Sequence, residues 1–279
     1  MSTLRINIDE IASPEVKVVV ATLNKAFEEF GVDFYLIGAR AKDFWLQSSK
    51  IPPRRFTNDI DFAVLVSGVN EFHDLVKFLT AKYGFQPVSS VPHRITYVKN
   101  KFLIDLLPFG GVEEAGYVNF NDKFDTKISV LGLMEVFEST ALAEFHDDVI
   151  KIASLPGIVI LKLISWNDRP EERVRDVDDL YMILKYYFEI ESEEIYVNHL
   201  DLFDENFDNV VAGARVLGRQ MKEILAKSKL LKEKIISILE SNTKDTETSI
   251  MSNLMVRGTD ISADEALRLI QAAYMGLND

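Results

Sequence analysis

The 279-residue chain contains no cysteine. That single absence removes disulfides, thiolate metal sites and cysteine nucleophiles together. Histidine is scarce as well: His73, His93, His146 and His199 are scattered along the chain, which leaves a zinc cluster without a ligand set. Long apolar runs are missing. Stretches such as Phe34 to Ala39 and Gly157 to Leu161 fall far short of the roughly 20 residues that a spanning helix needs. Asp9 and Glu10 stand where an export signal would be apolar, so the chain reads as cytoplasmic and free of membrane. Positive charge is the last deficit, with 31 Lys and Arg against 44 Asp and Glu and a net charge of −13. An extended groove for duplex DNA is disfavoured, because phosphate binding by counterion release needs clustered Lys and Arg. A small local basic site for a nucleotide or an RNA end is still compatible with that balance.

The composition itself is globular. Hydrophobic residues at 47% and charged residues at 27% set the chain apart from disordered sequences, and its length suits one large domain or two modest ones. Val16 to Phe30 has helical spacing and stops at Gly31, as a left-handed cap would have it. Val32 to Ile37 reads as a strand, Gly38 as a turn and Ala39 to Ser48 as a helix. A second strand is expected at Ile60 to Val66, then a helix at Asn70 to Tyr83, and a hairpin from Arg94 to Lys99 and Lys101 to Leu107. Val112 to Ile152 shows short mixed runs and one helix, Gly132 to Ser139.

After Ser154-Leu155-Pro156 the periodicity is helical: Gly157 to Asn167, Glu171 to Phe188, Val210 to Ala226, Leu230 to Ser241, about Glu247 to Met255, and Ala263 to Met275. Ser262 and Glu265 have capping-box spacing ahead of the last. Phe188 to Asp208 is rich in Glu and Asp with no Lys or Arg, which reads as a solvated surface that repels phosphate. These signals divide the chain near residue 153, into an α/β-type domain over 1–153 and a helical domain over 154–279.

Chemistry concentrates on carboxylates. Asp59 and Asp61 open a strand, and a period of two projects both from one face. Such a pair is half of a site for Mg²⁺, which takes oxygen ligands and is commonly held by a few carboxylates together with substrate phosphates. Asp105, inside the apolar run Phe102 to Leu107, is the candidate third ligand, because a buried carboxylate without a partner is costly. Its alternative role is a buried bridge to an arginine such as Arg94. Strand, Gly38 and helix would set free backbone N–H groups where phosphate binds, with Arg40 in support. Taken alone, Gly38 is more simply a plain tight turn. Arg54, Arg55 and Thr57 precede the acids and suit a triphosphate or acceptor phosphate, or else pair with nearby acids. Lys162 interrupts an apolar helix. Either it reaches a nucleotide phosphate, oriented by Asp176, or it bridges two helices through Asp176 and Asp179.

Taken together, these stretches resemble the nucleotidyltransferase fold of the DNA polymerase beta superfamily and, more narrowly, the toxin-like AbiEii/AbiGii nucleotidyltransferases. The resemblance is carried by Ile37 to Ala41, Arg55 to Phe62, Ile104 to Gly111, the segment from Leu155 through Lys162 and Trp166–Arg169 to Asp179, and more weakly Gly213 to Arg219. It implies an α+β protein, with a short mixed sheet flanked by helices and a C-terminal helical domain that completes the nucleotide site. By the same resemblance Asp59, Asp61 and Asp105 are catalytic and hold two Mg²⁺ ions with an NTP. Gly38, Ala39, Arg40, Arg55, Thr57, Lys162 and Asp176 would surround the nucleotide.

The expected reaction is transfer of an NMP to an acceptor hydroxyl of tRNA, protein or a small molecule, in a toxin–antitoxin or phage-defence setting with an antitoxin protein as partner. The superfamily glycine is often followed by Ser, whereas this chain has Ala39. That departure motivates a second reading, a binding module that holds nucleotide or a partner without turnover. A third reading is an aminoglycoside-type nucleotidyltransferase, whose cationic acceptors would suit an acidic chain.

Overall fold

Apolar residues recur along α2 (Pro14–Phe30) so that Val16, Val19, Val20, Leu23, Ala26 and Phe27 are buried on one face. Gly31 closes the helix in the left-handed conformation. The computed structural model describes residues 6–55, 57, 59–120, 125–146, 148–257 and 259–279, and the chain divides at Ala153 and Ser154 into two compact units.

The first unit contains β1 (Ile6–Asn7), α1 (Ile8–Ile11), α2, β2 (Phe34–Ile37), α3 (Gly38–Ser48), β3 (Asp59–Val66), α4 (Val69–Tyr83), β4 (Phe85–Pro87), β5 (Arg94–Tyr97) and β6 (Phe102–Gly110). It continues with β7 (Tyr117–Asn119), β8 (Lys127–Ser129), α5 (Leu133–Phe137), β9 (Ala141–Phe145) and β10 (Asp148–Ile152). Eight strands form one mixed sheet in the order β1-β9-β10-β2-β3-β6-β5-β4, and β7 and β8 pair separately. The centre of the sheet positions the site. β3 runs antiparallel to β2 and parallel to β6, and β5 runs antiparallel to β6.

Alternation along the central strands sorts polar from apolar residues. Ile60, Phe62 and Val64 of β3 and Ile104 and Leu106 of β6 are fully buried. Phe62 meets Phe27 of α2 edge-on, with ring centroids 6.0 Å apart. Asp59, Asp61 and Asp105 occupy the intervening positions and are half-buried. Two buried polar groups find carbonyl partners: the Tyr35 hydroxyl donates to Leu133 O at 2.7 Å, and Trp45 Nε1 donates to Ala153 O at 2.9 Å.

The second unit is helical: α6 (Leu155–Asp168), α7 (Val174–Ile190), α8 (Ser192–Asn198), α9 (Asn209–Leu225), α10 (Lys229–Glu240), α11 (Ile250–Met255) and α12 (Ala263–Asn278). α6 packs on α7, α9 and α10. α9 and α12 approach backbone to backbone through Gly218 and Gly276, where an added Cβ would run into Ala273 O and Arg215 O of the facing helix. The expected capping box is present, with Glu265 N donating to Ser262 Oγ at 3.2 Å and Ser262 N to Glu265 Oε2 at 2.7 Å.

The structure differs from the sequence expectations in several places, and β1, α1 and β4 are absent from those expectations altogether. The helix expected from Glu171 starts at Val174, because Glu172 N and Arg173 N both donate to Arg169 O and hold a turn there. Phe188 to Asp208, read only as a solvated acidic surface, holds α8 and a 3₁₀ turn at Leu200–Leu202. The mixed runs before Ile152 contain β7 to β10, strands of three to five residues, too short to display alternation. Among the described residues, no helix is long and apolar enough to cross a membrane.

Candidate active site

Parallel pairing sets Asp61 of β3 directly opposite Asp105 of β6, and Asp59 lies two residues earlier on the same face. Each of the three offers one carboxylate oxygen, and these oxygens lie within 4.8 Å of one another. A donor set made only of carboxylate oxygens, fixed on two hydrogen-bonded strands, fits Mg²⁺ by its chemistry. Carboxylates this close repel unless a positive charge compensates them.

Arg94 supplies part of that charge. Antiparallel register places it across from Asp105, and its guanidinium forks onto both oxygens, Nε to Oδ1 at 2.6 Å and Nη2 to Oδ2 at 2.7 Å. The Asp105 hydrogen bonds hold Arg94 above its ordinary pKa against the effect of burial, and the charges of Asp105, Asp59 and Asp61 add to them. The two roles weighed for Asp105, triad member and partner of Arg94, therefore coexist. Sequence reasoning named Arg94 only as a bridge. Its alternation across the β5–β6 hairpin was the signal that it belongs to the site.

The other side of the triad is formed by the turn from β2 into α3. Ile37 pairs with Asp61, so Gly38 follows beside that carboxylate. Gly38 has φ +74°, and a Cβ there would stand 2.9 Å from Asp61 Cγ and closer still to Oδ2. Ile37, the residue that precedes α3, makes no side-chain cap hydrogen bond, and N–H groups at a helix start are donors that a ligand can use. Gly38, Ala39 and Arg40 in that first turn are half-buried.

The Arg40 guanidinium donates from Nη2 to Thr57 O. Arg40 Nε and Thr57 Oγ1 are buried and have no hydrogen-bond partner among the described residues. Burial pulls Arg40 below its ordinary pKa, opposed by the carboxylates of Asp43, Asp59 and Asp61. Arg55 is half-buried and Arg54 exposed on the segment entering β3. Phe56 and Asn58, which belong to the same sequence motif, lie outside the described residues. Sequence reasoning missed the ion pair of Lys42 and Asp43, 2.7 Å apart with side chains only 1% and 2% exposed. Lys42 sits one helical turn after Gly38, and that spacing was its signal.

In the helical unit Lys162 of α6 is buried and donates to Asp176 Oδ1 at 2.8 Å and Asp179 Oδ2 at 2.7 Å, both on α7. Burial opposes its charge, but Asp179 and Asp176 outweigh that and hold its pKa above the ordinary lysine value. Asp176 also meets Arg173 Nε at 2.9 Å. Trp166, singled out in the sequence, is buried in the core.

Two solved structures align with part of this chain. A nucleotidyltransferase-like antigenic protein from Paracoccidioides brasiliensis aligns over 68% of this chain and 91% of its own, with 16% identity and a TM-score of 0.41. The antibiotic-resistance factor ANT(2'')-Ia aligns over 68% of this chain and 98% of its own, with 12% identity and a TM-score of 0.38. No curated protein matches the chain. The family model described as nucleotidyl transferase AbiEii toxin, type IV TA system, matches residues 26–250. That span takes in the Gly38 turn, all three triad carboxylates and the Lys162 cluster, and the chain belongs to the AbiEii nucleotidyl transferase family.

Proposed function

We propose that the protein transfers a nucleoside monophosphate from a nucleoside triphosphate to an acceptor hydroxyl and releases pyrophosphate. The observation that carries this reading is the cluster of Asp59, Asp61 and Asp105 beside the Gly38 turn. Asp59, Asp61 and Asp105 would hold Mg²⁺, as two ions. Bound there, the metal supplies activation of the acceptor oxygen and stabilisation of the departing pyrophosphate.

The chain's own groups provide the rest. Backbone N–H groups of Gly38 and Ala39 open α3 and receive phosphate oxygens, with no hydroxyl contribution from residue 39. Arg40, Arg55 and Thr57 line the approach to β3, and the buried donors Arg40 Nε and Thr57 Oγ1 are groups that a phosphate would satisfy. Asp105 stands next to the incoming hydroxyl. Lys162 and Asp176 we assign to the bridge between α6 and α7. As a member of a toxin family, the protein would act in the cytoplasm, on tRNA, protein or a small molecule, and be held in check by an antitoxin.

The test incubates the full chain with each α-labelled NTP and Mg²⁺, adding total RNA, total cell protein or small-molecule acceptors in separate series. Label in one pool, lost at least about 100-fold in Asp59→Asn and Asp61→Asn, is the expected result and identifies the acceptor class. Label transfer that persists in both variants overturns the assignment. One observation favours a second reading, nucleotide binding without turnover: Arg94 already engages both oxygens of Asp105. Nucleotide binding with no pyrophosphate release in any series would select that reading.

A further inference from the structure

Arg94 is placed by register rather than by chance. β5 sets it opposite Asp105, the residue that β6 sets opposite Asp61, so across three adjacent strands one guanidinium terminates a row that begins with two carboxylates. The fork uses both Asp105 oxygens. The Arg94 side chain is 31% exposed and that of Asp105 13%, so the pair is shielded enough for its charge to be felt, yet open to exchange with solvent ions. A divalent cation entering among the three carboxylates would meet a fixed positive charge on the far side of Asp105. It would have to share the oxygens that Arg94 now holds.

We propose that Arg94 is a resident counter-charge of the triad, held on Asp105, and a positioning residue that sets its metal affinity, by competing with the divalent cation for Asp105. The proposal rests on the reading of Asp59, Asp61 and Asp105 as a metal site. Arg94 holds the carboxylates together while the cation is absent and weakens binding of the cation when it arrives. A purely structural arginine would do the opposite. Its removal would loosen Asp105 and leave metal binding unchanged or weaker.

The experiment titrates the full-length protein with Mn²⁺ at pH 7.5, without nucleotide, and follows free Mn²⁺ by electron paramagnetic resonance. Removing a unit charge a few ångströms from a divalent ion in a partly solvated site should tighten binding about tenfold, so Arg94→Gln is expected to bind about tenfold more tightly than wild type. Arg94→Lys keeps the charge but loses the two-pronged contact, and about threefold tightening is expected. Should Arg94→Gln fail to fold by circular dichroism, Arg94→Lys decides alone. Binding that is abolished by Asp59→Asn but no tighter in the Arg94 variants overturns this proposal and leaves the metal site standing. Binding equal in wild type and Asp59→Asn overturns the metal-site reading, and this proposal with it.

Discussion

The Asp61 carboxylate fills the space that a side chain at residue 38 would need. Two separate requirements meet at that position. The chain turns from β2 into α3 at φ +74°, and the turn lies against a triad carboxylate. Gly38→Ala meets both penalties, since a left-handed conformation costs about 1–3 kcal/mol for a residue with a Cβ and the added carbon must displace Asp61. The variant is expected to melt at lower temperature and to bind Mn²⁺ more weakly than wild type. Equal melting temperature and equal Mn²⁺ affinity would show that Asp61 moves aside freely and that Gly38 does not shape the site.

The site was more legible in the sequence than the sheet around it. Asp59 and Asp61 on one strand face follow from a period of two, and Gly38 from the order of strand, glycine and helix. The pairing of Asp61 with Asp105 is a long-range register that no local pattern encodes; the cost of an unpartnered carboxylate in an apolar run made Asp105 the candidate third ligand, and the resemblance to a known family agreed with it. β1, with its two residues, and the short strands β9 and β10 carry too few positions to show alternation, so one side of the main sheet was invisible, as was the separate pair β7 and β8. Helices read better because burial repeats over many turns. α8 escaped notice because its acidic residues mask Ile195, the one residue it buries. Lys162 was ambiguous for a physical reason: a lone cation on an apolar helix demands a partner, but spacing does not say which.

Lys162 is expected to be a principal tie within the helical unit. Lys162→Met leaves Asp176 and Asp179 buried, each having lost the ammonium that both accept from, and breaking a buried pair in this way costs about 3–5 kcal/mol. Urea unfolding of the variant should show that loss. Adding Asp179→Asn to Lys162→Met should recover part of it by removing one of the two carboxylates that shared the ammonium. The sign of the pH dependence follows from the raised pKa. The bridge is fully present below the unfolded lysine value of about 10.4 and is lost only as pH climbs through the higher folded value, so it should contribute no slope between about pH 5 and 9. A double variant no more stable than the single one would show that the Asp179 charge is not what destabilises it.

Close approach of α9 and α12 gives a different kind of prediction. Gly276 meets Arg215 O and Gly218 meets Ala273 O, so each glycine accommodates the opposite backbone. Gly276→Val should force the helices apart and cost about 1–3 kcal/mol or more, the usual range for overpacking. Gly84→Ala is the control for glycine substitution itself, because Gly84 has positive φ and an added Cβ there meets nothing within 4 Å. Gly276→Val is expected to be the more destabilising in chemical denaturation. The reverse order would mean that backbone strain, rather than helix separation, governs these positions.

Asp279 should dominate the acid limb of stability in the helical unit. Arg215 forks onto its carboxylate at 2.9 and 2.7 Å, and Arg219 donates to the same group. These hydrogen bonds pull Asp279 down to about 2, whereas an unfolded Asp titrates near about 3.9. A depressed folded pKa stabilises the protein above the unfolded value, and that contribution is lost as pH falls through the folded one. After allowance for solvent screening, Asp279→Asn should cost about 1 kcal/mol at pH 7. The gap from wild type should narrow between about pH 4 and 2, because protonation makes the native side chain as neutral as the amide. His199 adds a complication, since burial and Arg219 lower its pKa and its protonation in acid sets a second positive charge beside Arg219 Nη1, 3.1 Å away. That repulsion is common to wild type and variant, so it cancels in their difference, which urea titrations at pH 7, 4 and 2.5 would measure. A gap that stays constant across those three values would assign the role of Asp279 to shape and hydrogen bonding, with its charge contributing nothing.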